Sequence, residues 1–104
     1  MNSDKEKDIK QLEGKLPLEK IDPIALLTLG KLQQYGAKKY KDSEGMSWQH
    51  GKVETYIGAL LRHLTAHQQG KIIDPESNFT HIEHLFFNAY ILLWLENKKN
   101  DGGN

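Results

Sequence analysis

The spacing of hydrophobic side chains predicts three main helices. Apolar residues recur at three- or four-residue intervals over about 23–36, 52–69 and 81–97, which is the period of an α-helix. The third segment is apolar on nearly every side, so we expect it to be the central helix. No stretch alternates polar and apolar residues as a half-buried strand would. The pattern therefore predicts an all-α fold, a small bundle of three to four helices.

Capping residues mark the predicted helix ends. Asp22 followed by Pro23 indicates the start of the first helix, because aspartate accepts free backbone N–H groups and proline is tolerated in the first turn. Gly36 indicates its end, since glycine readily adopts the left-handed conformation found there. Thr80 and Glu83 have the spacing of a capping box and predict the start of the third helix.

Composition indicates one small globular domain. The chain has 104 residues, of which 38% are hydrophobic and 27% charged. Residues 1–15 are predicted to form a flexible or frayed segment, 16–97 the helical domain and 98–104 a disordered tail. A domain of this size buries a small core, and an almost wholly apolar last helix leaves surface to cover. We therefore expect a homo-oligomer.

Charge and targeting features narrow the class of partner. The 14 basic and 14 acidic residues cancel, so we expect no binding to bulk nucleic acid, which requires a basic surface. The chain has no cysteine, its N-terminus does not read as an export signal, and no apolar run reaches membrane-spanning length. These features predict a cytoplasmic protein that makes no contact with a membrane.

Histidines and carboxylates cluster late in the chain. Histidines three or four positions apart share one face of a helix, and the second and third helices each carry such a pair. An acidic loop joins the two helices, and the cluster comprises His63, His67, Asp74, Glu76, His81 and His84. Imidazole and carboxylate groups both bind divalent metals. The predicted metal ligands are His63, Asp74, His81 and His84, and the predicted catalytic groups are Asp74, Glu76 and His63. The alternatives are histidines that hydrogen-bond within a core, and an ordinary Asp-Pro turn.

A second polar segment combines aromatic and basic residues. Two tyrosines and two lysines flank a break after the first helix, and a tryptophan, an arginine and an asparagine elsewhere add to them. Lysine and arginine neutralise phosphate, and aromatic rings stack on bases. The residues predicted to bind a nucleotide are Tyr35, Lys38, Lys39, Tyr40, Trp48, Arg62 and Asn88. The alternative is that the lysines are simply solvated and the tyrosines packed.

The order of these motifs resembles the N-terminal module of phage dATP/dGTP diphosphohydrolases, over about residues 16–96. The resemblance rests on the segments 35–40, 60–64, 74–77 and 81–88 together with Trp48. It implies an all-α, phage-encoded domain related loosely to MazG-like nucleoside triphosphate pyrophosphohydrolases, which use Mg²⁺ or Mn²⁺ and work as oligomers. It also implies that Lys38, Lys39 and Trp48 meet the nucleotide, and that the active or binding pocket is lined by His63, Asp74, Glu76, His81 and His84. Any catalytic part that longer relatives carry downstream would be absent.

One departure from the MazG-like pattern keeps three functions open. Those enzymes hold metal with pairs of acidic residues, whereas this chain has His81 and His84 at the comparable place. Hard Mg²⁺ prefers oxygen ligands, so a histidine-rich site suits Mn²⁺, Zn²⁺ or no metal. The first hypothesis is a metal-dependent purine dNTP pyrophosphohydrolase. The second is a phage protein that sequesters a cyclic-nucleotide or ADP-ribose immune signal without turnover. The third is a helical interaction module with structural histidines.

Overall fold

Residues 14–102 contain three α-helices. A computed structural model describes the backbone of residues 14–102 and the side chains of residues 14–99. We label the helices α1 (Ile24–Lys39), α2 (Val53–Gln68) and α3 (His81–Gly102), and single 3-10 turns lie at Leu18–Lys20 and Ser47–His50. Over the described residues no strand forms, and the pairing of Ile73 with Thr80 is an isolated bridge. The predicted all-α fold is confirmed.

Helix α1 is longer than its sequence predicts. The Asp22 carboxylate accepts a hydrogen bond of 2.9 Å from the backbone N–H of Ile24, so it satisfies a free N–H at the helix start, although the N-cap position is Pro23. The helix then continues through Gly36 and ends at Lys39, so the predicted stop at Gly36 was wrong. An internal glycine costs about 1 kcal/mol but does not force a helix to end. The left-handed turn comes instead at Lys41, whose φ is 51°.

The start of α3 follows the predicted capping box. The Thr80 N–H donates to the Glu83 carboxylate at 2.8 Å, and the Glu83 N–H donates to the Thr80 hydroxyl at 3.0 Å. At its other end α3 continues through residues 98–102, part of the segment predicted to be a disordered tail. Most of the predicted frayed segment, residues 1–13, lies outside the described residues.

Helix α3 organises the packing, as its apolar sequence predicts. It contacts α2, α1 and the 3-10 turn at Ser47–His50. The hydrophobic core contains Leu32 of α1, Trp48 of the 3-10 turn and Ile91 of α3, which are 2%, 9% and 3% exposed. None of the helices in residues 14–102 has the length and hydropathy needed to cross a bilayer.

The first half of α1 carries apolar side chains that nothing in the described chain covers. Ile24, Leu26 and Leu27 are 65%, 75% and 63% exposed. Such a surface is typical of proteins that associate. The homo-oligomer expected from the sequence stays a prediction.

Candidate functional site

A cleft of about 700 Å³ opens between the three helices. This volume falls in the range of small-molecule sites. Of the residues that the sequence singled out for catalysis, metal or nucleotide, all except Lys38 line it: Tyr35, Lys39, Tyr40, Trp48, Arg62, His63, Asp74, Glu76, His81, His84 and Asn88. The two predicted polar clusters therefore share one cavity, although their individual roles remain predictions.

Three imidazoles form the polar wall of the cleft. His63 of α2 and His81 of α3 face each other with their Nδ1 atoms 2.9 Å apart. The rings of His63 and His84 stack, with centroids 4.5 Å apart and planes 7° from parallel. His81 is 7% exposed. The face of α3 that carries His81 and His84 therefore turns towards His63 of α2. His67, the remaining member of the sequence cluster, does not line the cleft.

Burial favours the neutral form of two of these rings. Burial lowers the pKa of His63 below its ordinary 6.5, and the adjacent His84 and His81 lower it further, against the pull of Asp74. The pKa of His84 is also lowered by burial, which outweighs the attraction of Asp74. Neutral imidazoles can accept a proton or bind a metal. Both rings are therefore available as bases near neutral pH.

The turn between α2 and α3 presents Asp74 to this wall. The Asp74 N–H donates to the carbonyl of Phe79 at 2.8 Å, and Asn78 takes a φ of 69° to close the turn. Burial acts to raise the pKa of Asp74, but hydrogen bonds from the Ser77 hydroxyl and the Glu76 N–H outweigh it and lower that pKa below 3.8. The carboxylate lies 3.3 Å from Nε2 of His84. Asp74 is therefore an ionised neighbour of the histidines.

Lys39 and Glu76 form an ion pair at the edge of the cleft. The ammonium lies 2.6 Å from the carboxylate, and the two side chains are 37% and 64% exposed. The hydrogen bond from Lys39 to Glu76 raises the lysine pKa, so it stays charged. The same ammonium lies 5.3 Å from the centre of the Tyr40 ring. Lys38, its neighbour in sequence, is exposed and lies outside the cleft.

The aromatic residues predicted to stack on a base differ in how free their rings are. Trp48 is buried edge-on against Tyr90 and Trp94, and its indole N–H donates to Gln33 at 3.1 Å. Tyr35 packs edge-on against His84. Tyr40 is 68% exposed. Tyr40 is thus the predicted stacking residue with the most accessible ring, and Trp48 has a clear structural role.

Asn88 and Arg62 extend the site from opposite helices. Asn88 of α3 is 9% exposed and its amide donates to the backbone carbonyl of His84 at 2.8 Å. That bond occupies the amide nitrogen and leaves the side-chain oxygen as an acceptor. Arg62 of α2 is exposed and lines the cleft near His63. A donor cation and an amide acceptor are therefore both available in the cleft.

The donor types suit a divalent metal, but their arrangement does not fit one as it stands. Across residues 14–99, no group of three or more histidine and acidic side chains is placed to hold an ion. His63 and His81 point their nitrogens at each other, and Nε2 of His84 lies 2.6 Å from the Ser77 hydroxyl. Three of the ring nitrogens are therefore engaged with protein groups rather than directed at a common point.

Sequence reasoning missed residues whose importance comes from packing. Gln33 holds the loop 45–48 by bonding both Trp48 and the carbonyl of Gly45. Tyr56 lines the cleft nearly two turns before Arg62, and it reads in the sequence as an ordinary apolar position of α2. Ser77 bonds two site residues. Of these three residues, only Ser77 could have been noticed in the sequence, because it lies beside the Asp-Pro turn.

Comparisons with known proteins agree with the motif order. A family model described as dATP/dGTP diphosphohydrolase, N-terminal, matches residues 5–103. A curated relative, a dATP/dGTP diphosphohydrolase of Salmonella phage PMBT28, is 29% identical over 91 residues, which cover 88% of this chain. The matched region is 30% of that relative, so the chain corresponds to less than a third of its length. No solved structure matches the chain.

Proposed function

The chain belongs to the dATP/dGTP diphosphohydrolase N-terminal family, and from this premise we propose that it binds a purine deoxynucleoside triphosphate and hydrolyses it to monophosphate and pyrophosphate. One observation carries the proposal. One cleft gathers cations, imidazoles, carboxylates and aromatic rings contributed by the three helices and by the turns between them. Triphosphate recognition requires that combination of positive charge and a stacking surface.

In this proposal the phosphates lie at the histidine wall of the cleft. Lys39 and Arg62 supply charged donors there, at the level of the histidine wall. A triphosphate that approaches Lys39 must compete with Glu76 for the ammonium. Because both partners are substantially exposed, that ion pair is weak enough to be exchanged.

The reaction needs a base for the attacking water. The water oxygen bonds to the α-phosphorus, the bond from that phosphorus to the bridging oxygen breaks, and pyrophosphate leaves. Neutral His63 accepts the proton of the water, while ionised Asp74, together with Glu76, orients the water or shares that role. The purine stacks on Tyr40, whose accessible ring lies beside the Lys39 ammonium.

Dependence on Mn²⁺ or Mg²⁺ is part of the proposal. Mg²⁺ is commonly held by one or two carboxylates together with substrate phosphates rather than by a cage of protein ligands. A cleft without a preformed three-ligand site suits that mode. The side chains that would contribute are among His63, Asp74, His81 and His84. We also propose that the protein acts as a homo-oligomer in the cytosol of a bacterial host.

Pyrophosphate release tests the enzyme hypothesis. Purified protein is incubated with dATP or dGTP in Mn²⁺, Mg²⁺ or chelator, and pyrophosphate is measured. We expect release with metal, its loss in chelator, and its loss in His81→Ala and Asp74→Ala. Lys38→Ala is the matched control, because Lys38 lies outside the cleft. No release with any metal would reject the proposal.

A second candidate is binding without turnover of a cyclic-nucleotide or ADP-ribose signal. The observation that favours it is the mutual engagement of His63 and His81, together with the lack of a three-ligand group in residues 14–99. This hypothesis predicts thermal stabilisation by such nucleotides that persists in chelator. An absence of shifts across a panel of cyclic dinucleotides and ADP-ribose derivatives would remove it.

A further inference from the structure

Ser77 contacts two residues of the cleft without lining the cleft itself. Its hydroxyl lies 2.8 Å from Oδ2 of Asp74 and 2.6 Å from Nε2 of His84. The backbone N–H of Phe79 also donates to that hydroxyl, at 3.2 Å. Asp74 and His84 line the cleft, whereas Ser77 does not. Any influence of Ser77 on a bound nucleotide must therefore pass through Asp74 and His84.

The single hydrogen of the Ser77 hydroxyl can be assigned. A carboxylate only accepts hydrogen bonds, so at 2.8 Å from Asp74 the hydroxyl must be the donor. It then has no hydrogen left for His84, and the 2.6 Å contact requires that Nε2 of His84 carry the proton and donate. If the hydroxyl instead donated to His84, the oxygen atoms of Ser77 and Asp74 would be in close contact with no hydrogen between them. Nε2 would also be left without a hydrogen at 3.3 Å from the same carboxylate.

From this geometry we infer that Ser77 is a positioning residue that fixes the tautomer of His84. It holds the proton on Nε2, so that Nδ1 is the basic nitrogen of the neutral ring. Which nitrogen of a histidine is free is set by the hydrogen bond that the other nitrogen makes. The same hydroxyl fixes the orientation of Asp74. The sequence motifs for metal, catalysis and nucleotide had assigned Ser77 no role.

The consequence for chemistry rests on the proposed function. If the cleft hydrolyses a triphosphate, only Nδ1 of His84 is available to accept a proton or to bind an ion that accompanies the nucleotide. Loss of Ser77 would let the ring exchange tautomers and let the Asp74 carboxylate turn. Partners of this kind, one step behind the reacting groups, commonly change activity or metal affinity by about 10- to 100-fold.

The protonated nitrogen can be measured without any substrate. Protein labelled with ¹⁵N in histidine is studied by long-range ¹H–¹⁵N correlation at a pH where the imidazoles are neutral, with the His84 signals assigned from His84→Gln. We expect wild-type His84 to show a protonated Nε2 and a bare Nδ1. A wild-type ring protonated at Nδ1, or a mixture, would overturn the inference, and this result needs no variant to fold.

Three variants separate positioning from mere structure. In Ser77→Ala we expect the two His84 nitrogens to move to averaged positions, while Ser77→Thr keeps the hydroxyl and restores the wild-type signals. Ser43→Ala removes an exposed hydroxyl outside the cleft and should change nothing. The signals of exposed His50 serve as an internal reference. A Ser77→Ala protein that retains a single Nε2-protonated ring would also overturn the inference.

Activity provides an independent measurement. We expect kcat for pyrophosphate release to fall by about 10- to 100-fold in Ser77→Ala with little change in KM, because the hydroxyl does not touch the cleft. Ser77→Thr should recover most of it. A rise in KM with unchanged kcat would contradict a positioning role. If the wild-type protein releases no pyrophosphate, the proposed function fails while the tautomer measurement still decides the role of Ser77.

Discussion

His63 and His81 lie on different helices, yet their Nδ1 atoms meet at 2.9 Å. At that distance the two nitrogens can share one proton but cannot both carry one. His84 stacks on His63 from one turn further along α3. If two imidazoles of this group were charged at once, their positive charges would repel at short range. The packing of α2 against α3 therefore disfavours simultaneous protonation of these rings.

Acid should destabilise the fold earlier than it would a protein with exposed histidines. The folded pKa values of His63 and His84 are below 6.5, mainly through burial, so between these values and 6.5 the unfolded chain binds more protons than the folded one. Stability should therefore fall as the pH drops below about 6.5. It should level off once the folded rings also protonate. Asp74, whose pKa is also lowered, adds a separate loss only below its ordinary 3.8.

Urea unfolding across a pH series measures this dependence. His63→Gln should reduce the slope between neutral and mildly acidic pH, because it removes one ring of the cluster. His50→Gln is the matched control, since His50 is exposed and lies outside the cleft, and it should keep the wild-type slope. Equal slopes in the two variants would show that the histidine cluster does not control acid stability.

The two adjacent lysines should differ sharply in nucleotide binding. Lys39 lines the cleft and Lys38 does not, although they are the same residue type at the end of one helix. A hydrogen bond to a charged group contributes about 1.5–3 kcal/mol, so Lys39→Met should weaken triphosphate binding by roughly 10-fold or more. Lys38→Met should leave the affinity nearly unchanged. Calorimetric titration with a dNTP measures both, and matching losses would place the phosphates elsewhere.

The helices and the grouping of polar residues were predictable because both follow local rules. The capping box of Thr80 and Glu83 depends on residues three positions apart, and its two hydrogen bonds form as predicted. His81 and His84 face the cleft together because they lie on one face of α3, whereas of the α2 pair only His63 lines it. The helix end predicted at Gly36 was wrong because the end of a helix depends on the residues that follow it. Here the chain turns only at Lys41.

The parts that could not be predicted depend on contacts between distant segments. Trp48 looks like a free loop tryptophan in the sequence, but α3 supplies Tyr90 and Trp94 to bury it. Gln33 gains its importance from the same loop. Periodicity places a residue on a helix face but does not say which loop will pack there. The contributions of individual residues to the cleft therefore depend on tertiary packing, which periodicity does not predict.

A methyl group at Gly51 should disturb the cleft through Tyr56. A Cβ built on Gly51 would lie 2.8 Å from Cζ of the Tyr56 ring, which is too close for either to stay in place. Gly51→Ala should therefore lower the melting temperature and weaken nucleotide binding together. In Gly30→Ala nothing lies within 4 Å of the new methyl, so helix propensity should raise stability by up to about 1 kcal/mol. Thermal unfolding and titration compare the two, and a Gly51→Ala protein as stable as Gly30→Ala would contradict this packing.

His67 should prove dispensable for binding and unfavourable for stability. The sequence places it at a solvated helix end, but its Nδ1 is buried and has no hydrogen-bond partner in the part of the chain that the structure describes. A buried unpaired polar atom costs about 1–3 kcal/mol, so His67→Leu should raise the free energy of unfolding by roughly 1 kcal/mol, after allowance for imperfect packing.

Binding provides the contrast for this variant. His67 does not line the cleft, so His67→Leu should keep the wild-type nucleotide affinity. His63 lies one turn earlier on α2 and does line the cleft, so His63→Leu should lose binding. Urea unfolding and calorimetric titration of both variants separate the two effects. A His67→Leu protein that is less stable and also fails to bind would place His67 in the functional site, and the wall of the cleft would then have to extend to the end of α2.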